Sequence, residues 1–295
     1  MRASVQIGRA RPTRPRLPTS VLISFRLAGA ISARTRVTQT LDYHFREHRR
    51  HRAAGASSAS VIAPLVCRLI EPRSVLDIGC GLGMWLRAFS EYGVPTTFGV
   101  DAVDPGDVTL EIDSDQFARV DLRDPLRLPA AFDLVICLEV AEHLPATSAA
   151  TLVDSCVHHA PAVLFSAAIP RQGGSGHMNE QWPDYWAHLF AQHDYVVCDV
   201  VRPRVWTDSR VAWWYAQNVL LFVASDDLAR NARIRAECDG PPWRPLGLVH
   251  PANYLQKTEP RSLVDRLRRR LLRRSPPVVH VDTWSAGALT TATDR

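Results

Sequence analysis

The residues best suited to proton or ion chemistry are Glu139, Glu142 and His143, spaced E-x-x-E-H, together with His177 in the run G-G-S-G-H-M-N-E-Q-W-P-D-Y-W (173–186). Imidazole exchanges protons near neutral pH, so His143 and His177 are the candidate bases. Two carboxylates and two imidazoles also make a mixed oxygen and nitrogen donor set. Glu139, Glu142, His143 and His177 could therefore hold a divalent metal ion, which would chelate a vicinal diol and lower a hydroxyl pKa. Blander roles are open as well: a Glu-His pair can cap a helix and line a pocket, and His177 can pack against Trp182.

A second group lies earlier, in S-V-L-D-I-G-C-G-L-G (74–83). An apolar run ending in Asp77 leads into Gly79, Cys80, Gly81 and Gly83, the pattern of a buried strand turning sharply into a helix. Such glycines let backbone approach a ligand, and the helix start offers free N–H groups. A dinucleotide site needs G-x-G-x-x-G, but Met84 stands where the last glycine would be. The acid at Asp77 would repel a pyrophosphate and suits a cationic, amino-acid-like ligand.

These residues need elements to carry them. Apolar runs predict strands over 74–78, 96–100, 117–121, 132–138, 162–168, 195–201 and 217–224. Helices are expected at 84–91, 147–159 and 181–193, with another over Ser57–Leu69 capped by serine. A short or degraded helix is expected between Asp101 and Phe117, where Pro105 and Gly106 stand. Alternation of this kind implies an α/β fold, a Rossmann-like sheet of seven mostly parallel strands with helices on both faces and an antiparallel last strand. Ligands then collect at the carboxyl ends of the strands. There the sequence places Asp77 and the glycines, Asp101, Asp121-Leu122, the Glu139–His143 run, and Ile169 through Trp182 in turn.

D-x-G-x-G-x-G followed by an acid ending the next strand resembles the class I S-adenosylmethionine-dependent methyltransferases, over roughly residues 55–225. F-D-L-V-I-C-L-E-V-A-E-H-L (132–144) is similar to that family's fourth-strand segment, and 173–186 to the lid of a bacterial small-molecule and sugar-type subgroup. The resemblance implies S-adenosyl-L-methionine as cofactor, held by Asp77, Gly79, Cys80, Gly81, Gly83 and Glu139. It assigns Asp101 to the ribose hydroxyls and Asp121 with Leu122 to the adenine. The E-x-x-E-H spacing is similar to metal-using O-methyltransferases, including ubiquinone-pathway and small-RNA 2′-O-methyltransferases. It thus points to oxygen as the methyl acceptor, on a small molecule such as a sugar. The alternatives are a protein that binds S-adenosylmethionine without turnover and an RNA-directed enzyme.

Charge bears on the partner. The net +5 is spread unevenly: residues 1–53 carry +10, residues 54–225 carry −10 and residues 226–295 carry +5. The central segment would repel a phosphate backbone, which argues against nucleic acid. Residues 1–53 read as an Arg-rich, loosely packed extension, 54–225 as the methyltransferase domain, and 226–295 as a tail. The run 261–274 has Val264, Leu267 and Leu271 among arginines, a basic amphipathic helix that could touch an anionic membrane or lie solvated. No apolar run is read as membrane-spanning. The cysteines, Cys67, Cys80, Cys137, Cys156, Cys198 and Cys238, lack metal spacing and suggest reduced, buried thiols of a cytoplasmic protein.

Overall fold

The computed structural model describes residues 38–102, 109–238 and 245–258, with side chains from Arg52 onward. The strands are β1 (Ser74–Ile78), β2 (Thr96–Asp101), β3 (Phe117–Arg119), β4 (Leu134–Leu138), β5 (Ala162–Ser166), β6 (Tyr195–Cys198) and β7 (Leu220–Ala224), in the spatial order β3-β2-β1-β4-β5-β7-β6. β1 through β5 pair in parallel, and β7 runs antiparallel between β5 and β6. The strand order reverses between β1 and β4. A crevice opens there in sheets of this kind.

Every residue of β1, β4 and β5 is buried, as expected for strands covered on both faces. Alternate residues serve opposite cores. Val75, Leu134, Ile136 and Leu164 meet α1 (Thr38–Ile70) and α2 (Met84–Glu91), through Ile62, Val66, Trp85 and Phe89. Leu76, Val135, Val163 and Phe165 meet α3 (Ala149–His159) and α4 (Pro183–Ala191), through Leu152, Cys156, Trp186 and Phe190. Phe190 stacks on Phe222 of β7 with ring centroids 3.9 Å apart. Burial of each such side chain is worth about 1.5–3 kcal/mol, which holds the strand ends in place.

Four expectations need correction. Ser57 does not cap a helix, because α1 begins at Thr38 and runs through it. Ser57 Oγ donates instead to the Arg210 carbonyl, and Ser58 Oγ to the Ala54 carbonyl. The same helix crosses the expected boundary at residues 53 and 54. By length and composition Arg52–Ile70 could span a membrane, against the sequence reading. Its Ala59, Ile62, Ala63 and Val66 are fully buried in the core, which accounts for its apolarity. Lastly, Cys198 and Cys238 form a disulfide, their Cα atoms 5.1 Å apart, while Cys67, Cys80, Cys137 and Cys156 are free and buried. A separation of 40 residues hid this pairing; it arises because α5 (Ala232–Cys238) ends beside β6. The 1–37 part of the N-terminal extension, Pro105 and Gly106, and the basic run at 261–274 lie outside the described residues.

Candidate active site

The first part of the site is the turn after β1. Gly79, Gly81 and Gly83 all have positive φ, at 86°, 54° and 87°. Two of them also have no room for a side chain. A Cβ on Gly79 would lie 2.3 Å from Val140 Cγ2, and one on Gly83 would lie 2.8 Å from Ile112 Cγ1. The N–H groups of Gly79 and Cys80 both donate to the Val100 carbonyl, at 2.8 and 3.1 Å, which ties the turn to the end of β2. Asp101 then closes it: its Oδ2 accepts the Gly81 N–H at 2.8 Å.

Asp77 is 3% exposed, and its Oδ2 has no hydrogen-bond partner. Burial, then the neighbouring Asp101 charge, raises its pKa well above the usual carboxylate value. An isolated buried carboxylate is costly unless a cation or donor meets it. The ammonium of an amino-acid-like cofactor is such a group, so the donor set fits S-adenosylmethionine. At β3 the outcome is mixed. Leu122 is buried, but Asp121 is exposed and its carboxylate is gripped by the Arg123 guanidinium, which holds its pKa below the usual value.

The second part lies beyond β4 and β5. Glu139 directly follows β4 with φ 56°, a sparsely populated conformation for a residue with a side chain. Its N–H is held by Ser166, through both the carbonyl (3.0 Å) and the hydroxyl (3.1 Å). Its carboxylate accepts from Asn218 Nδ2 at 3.1 Å and, more loosely, from Gln172 Nε2 at 3.5 Å. Burial raises its pKa, and the Asn218 and Ser166 bonds restrain the rise.

A 3-10 turn, Ala141–His143, next presents Glu142 and His143. Glu142 is fully buried and neither side-chain oxygen has a hydrogen-bond partner of good geometry. The backbone N–H groups of Glu142 and Ala168 give partial relief, but burial and the Glu139 charge still push its pKa well up. The Glu142 carbonyl accepts the N–H groups of Met178 (2.7 Å) and Asn179 (3.1 Å), which pins the following loop over the turn.

That loop carries His177. The His143 and His177 rings meet edge to face, 4.9 Å between centroids, and donor atoms of Glu142, His143 and His177 all lie within 4.8 Å of one another. Three of the four expected metal ligands are thus brought together. Glu139 is outside that set of three: the amides of Asn218 and Gln172 hold its carboxylate, which also neighbours that of Glu142. Glu180, which the spacing did not assign a role, organises the loop. It accepts the N–H groups of Arg171 and Gly173, each at 2.7 Å, and meets His177 Nδ1 at 2.9 Å. Burial alone would raise the Glu180 pKa, but these contacts outweigh it and lower the pKa. An ionised carboxylate only accepts, so in the neutral ring Nδ1 carries the proton and Nε2 is the lone-pair nitrogen. A Cβ on Gly174 would lie 2.1 Å from Nε2, so that face of the ring depends on glycine.

The aromatic residues expected over the acceptor divide. Trp186 is core, 5.1 Å from the Phe165 ring, and Tyr185 packs against it. Trp182 stays 45% exposed, beside Gly247.

Residues 45–209, more than half of the chain, match the family model described as a methyltransferase domain. The chain belongs to this methyltransferase family. Its methyl donor is S-adenosylmethionine. Among curated relatives, the methyltransferase is 36% identical over 93 residues to the ubiquinone biosynthesis O-methyltransferase of Idiomarina loihiensis, covering 28% of this chain and 36% of that one. It is 28% identical over 139 residues to the Xylella fastidiosa protein of the same name, covering 44% of this chain and 55% of that one. The chain therefore spans about a third to a half of the length of these relatives. Solved structures similar to it include the sugar N-methyltransferase KedS8 of Streptoalloteichus (16% identity, 66% of this chain and 97% of that one, TM-score 0.49). Another is the magnesium protoporphyrin IX methyltransferase of Synechocystis (17% identity, 64% and 96%, TM-score 0.47).

The candidate site also draws on Gln217 and Asn218, which no motif pointed to, and on Gln172 and Glu180, which lie in the expected Ile169–Trp182 stretch but had no role there. The one local signal was Gln217-Asn218 set immediately before the apolar run of β7, a polar pair where burial was expected.

Proposed function

We propose that this methyltransferase acts on a hydroxyl of a small molecule, with His177 as the base that takes the hydroxyl proton. The observation that carries this reading is the Glu180–His177 contact, which holds Nδ1 and leaves Nε2 as the lone-pair nitrogen of the neutral ring, at the carboxyl ends of β4 and β5. The bound cofactor supplies a methyl group on a sulfonium, so the protein's work is alignment and proton removal. An amine nucleophile brings its own lone pair, whereas a hydroxyl gains most from a fixed base. The ubiquinone-pathway O-methyltransferases among the relatives support oxygen as acceptor, over the stretch they share with this chain.

Glu142, His143 and His177 also fit a divalent ion, since Glu142 is a buried carboxylate with no hydrogen-bond partner of good geometry and two imidazoles stand beside it. A metal there would lower the pKa of a bound hydroxyl. Glu139 would then face the methyl donor rather than the ion. The excess of acids in residues 54–225 supports a small acceptor over a nucleic acid.

The test is release of S-adenosylhomocysteine over a panel of diols, catechols, sugars and amines, before and after thorough chelation. Turnover of hydroxyl acceptors that falls on chelation and returns with added divalent ion is expected. Undiminished turnover after chelation removes the metal, and turnover of amines alone overturns the oxygen reading.

A further inference from the structure

Glu139 is held by amides whose orientation is set far from it. Gln172, Gln217, Asn218 and Asn253 are between 0 and 5% exposed and form one connected chain. An amide side chain can be reversed end for end, so a network of amides has a definite sense only where fixed donors impose one. Two backbone N–H groups do this here. The Ile169 N–H donates to Gln172 Oε1 at 3.2 Å, which turns the Gln172 amino group toward Glu139. The His250 N–H donates to Gln217 Oε1 at 2.9 Å, and Asn253 Nδ2 joins it at 3.0 Å. The Gln217 amino group must then point the other way, to Asn218 Oδ1 (2.9 Å) and Gln172 Oε1 (2.8 Å). With its oxygen so occupied, Asn218 turns Nδ2 toward Gln172 Oε1 (3.0 Å) and Glu139. Reversing any one amide would set donor against donor or acceptor against acceptor in a buried space.

The imposing groups at one end belong to residues 245–258, beyond the stretch that matches the family model. This segment ends in α6 (Pro251–Thr258) and is firmly seated. Arg202, 1% exposed, pairs bidentately with Asp199 and donates to the Leu246 carbonyl at 2.7 Å. His250 Nε2 meets the Trp206 carbonyl at 2.8 Å.

We propose that Asn253 and Gln217 are positioning residues for cofactor binding: the segment after the sheet domain fixes the sense of the Gln217 amide, and through Asn218 fixes the carboxylate of Glu139 toward the methyl donor. This rests on the reading of Glu139 as a cofactor-facing group. Neutral donors suit that task, because they orient the carboxylate without cancelling its charge.

The test uses the full chain and S-adenosylhomocysteine as the probe, with affinity by calorimetry and stability by thermal melting. Asn253→Ala, Asn253→Asp and Glu139→Gln are made singly, and each Asn253 change is also combined with Glu139→Gln. Asn253→Ala is expected to raise Kd about two- to tenfold, the range for loss of one buried hydrogen bond, and Asn253→Asp more, since it sets oxygen against Gln217 Oε1. In the Glu139→Gln background both Asn253 changes should add little, since their effect runs through the missing carboxylate. Asn253 variants that lower the melting temperature but leave Kd unchanged, or whose effects add fully to Glu139→Gln, overturn the proposal. Glu139→Gln without effect on Kd overturns the reading of Glu139, and the proposal with it.

Discussion

The two halves of the candidate active site, one proposed for the methyl donor and one for the acceptor, are built on different plans. The donor half is local: Asp77, Gly79, Gly81 and Gly83 fall within one turn, and one further acid, Asp101, closes it through the Gly81 N–H. Its precision comes from backbone, since two of its glycines sit where any Cβ would collide. The acceptor half is assembled from Glu139 to His143, Gln172 to Glu180 and Gln217-Asn218, with His250 and Asn253 behind them. Its precision comes from side chains that orient one another. A backbone-built site should fail when space is filled and a side chain-built site when a donor or charge is removed.

His177→Ala tests this most severely. Loss of a positioned base is expected to lower kcat by about 10²–10⁴, while the Kd of S-adenosylhomocysteine stays within about threefold, a change of less than 1 kcal/mol. A large change in cofactor affinity would mean that the halves are not separable. Gly79→Ala is the mirror experiment. Left-handed backbone and a 2.3 Å approach to Val140 predict a loss of cofactor affinity of about a hundredfold or more. Near-normal binding would show that the turn adjusts, contrary to a rigid backbone site.

Asp77→Asn separates charge from shape within the donor half. Loss of a charge-assisted bond should weaken S-adenosylhomocysteine binding by about tenfold or more. It should also change the pH dependence of the unliganded protein. The folded pKa of Asp77 is raised above the ordinary 3.8, so the folded state holds its proton longer than the unfolded state. Stability from this group is therefore full below that ordinary value and lost as pH rises through the folded pKa. The substituted amide cannot titrate, so melting temperature against pH should flatten over that window. An unchanged profile would refute the isolated-carboxylate account. The smallest effect is expected from Cys238→Ser. It removes a crosslink at the flank of the sheet, worth about 4 kcal/mol at most for a 40-residue loop. Local detachment of α5 should reduce the loss, so melting should fall by a few degrees, about 2–4 °C per kcal/mol, with both ligand affinities intact.

The same contrast explains how much could be read from residues alone. Strands β1, β2 and α2 fall where periodicity puts them, because an apolar run and a glycine turn are local signals. The rest of the strand set was legible as well, with β3 through β7 shorter than their expected runs. Ser57 misled because a serine inside a long helix is indistinguishable in sequence from one that starts it; here its hydroxyl bonds Arg210, from a distant part of the chain. Trp182 and Trp186 stand four apart and looked equivalent, yet one is exposed and the other is core.

What the sequence determined by itself is the Asp77–Gly83 turn and its surroundings: strand, acid, glycine turn and the next strand's acid, each a short-range consequence of apolar runs and glycine's tolerance of positive φ. Tertiary structure alone decided that Glu180 fixes the tautomer of His177, that Glu139 answers to amides rather than joining the Glu142–His143–His177 cluster, and that Cys198 meets Cys238. The physical reason is that hydrogen bonds between side chains depend on atoms a few ångströms apart in space. A sequence fixes such distances only within a turn or a strand; packing of the whole sheet fixes the others.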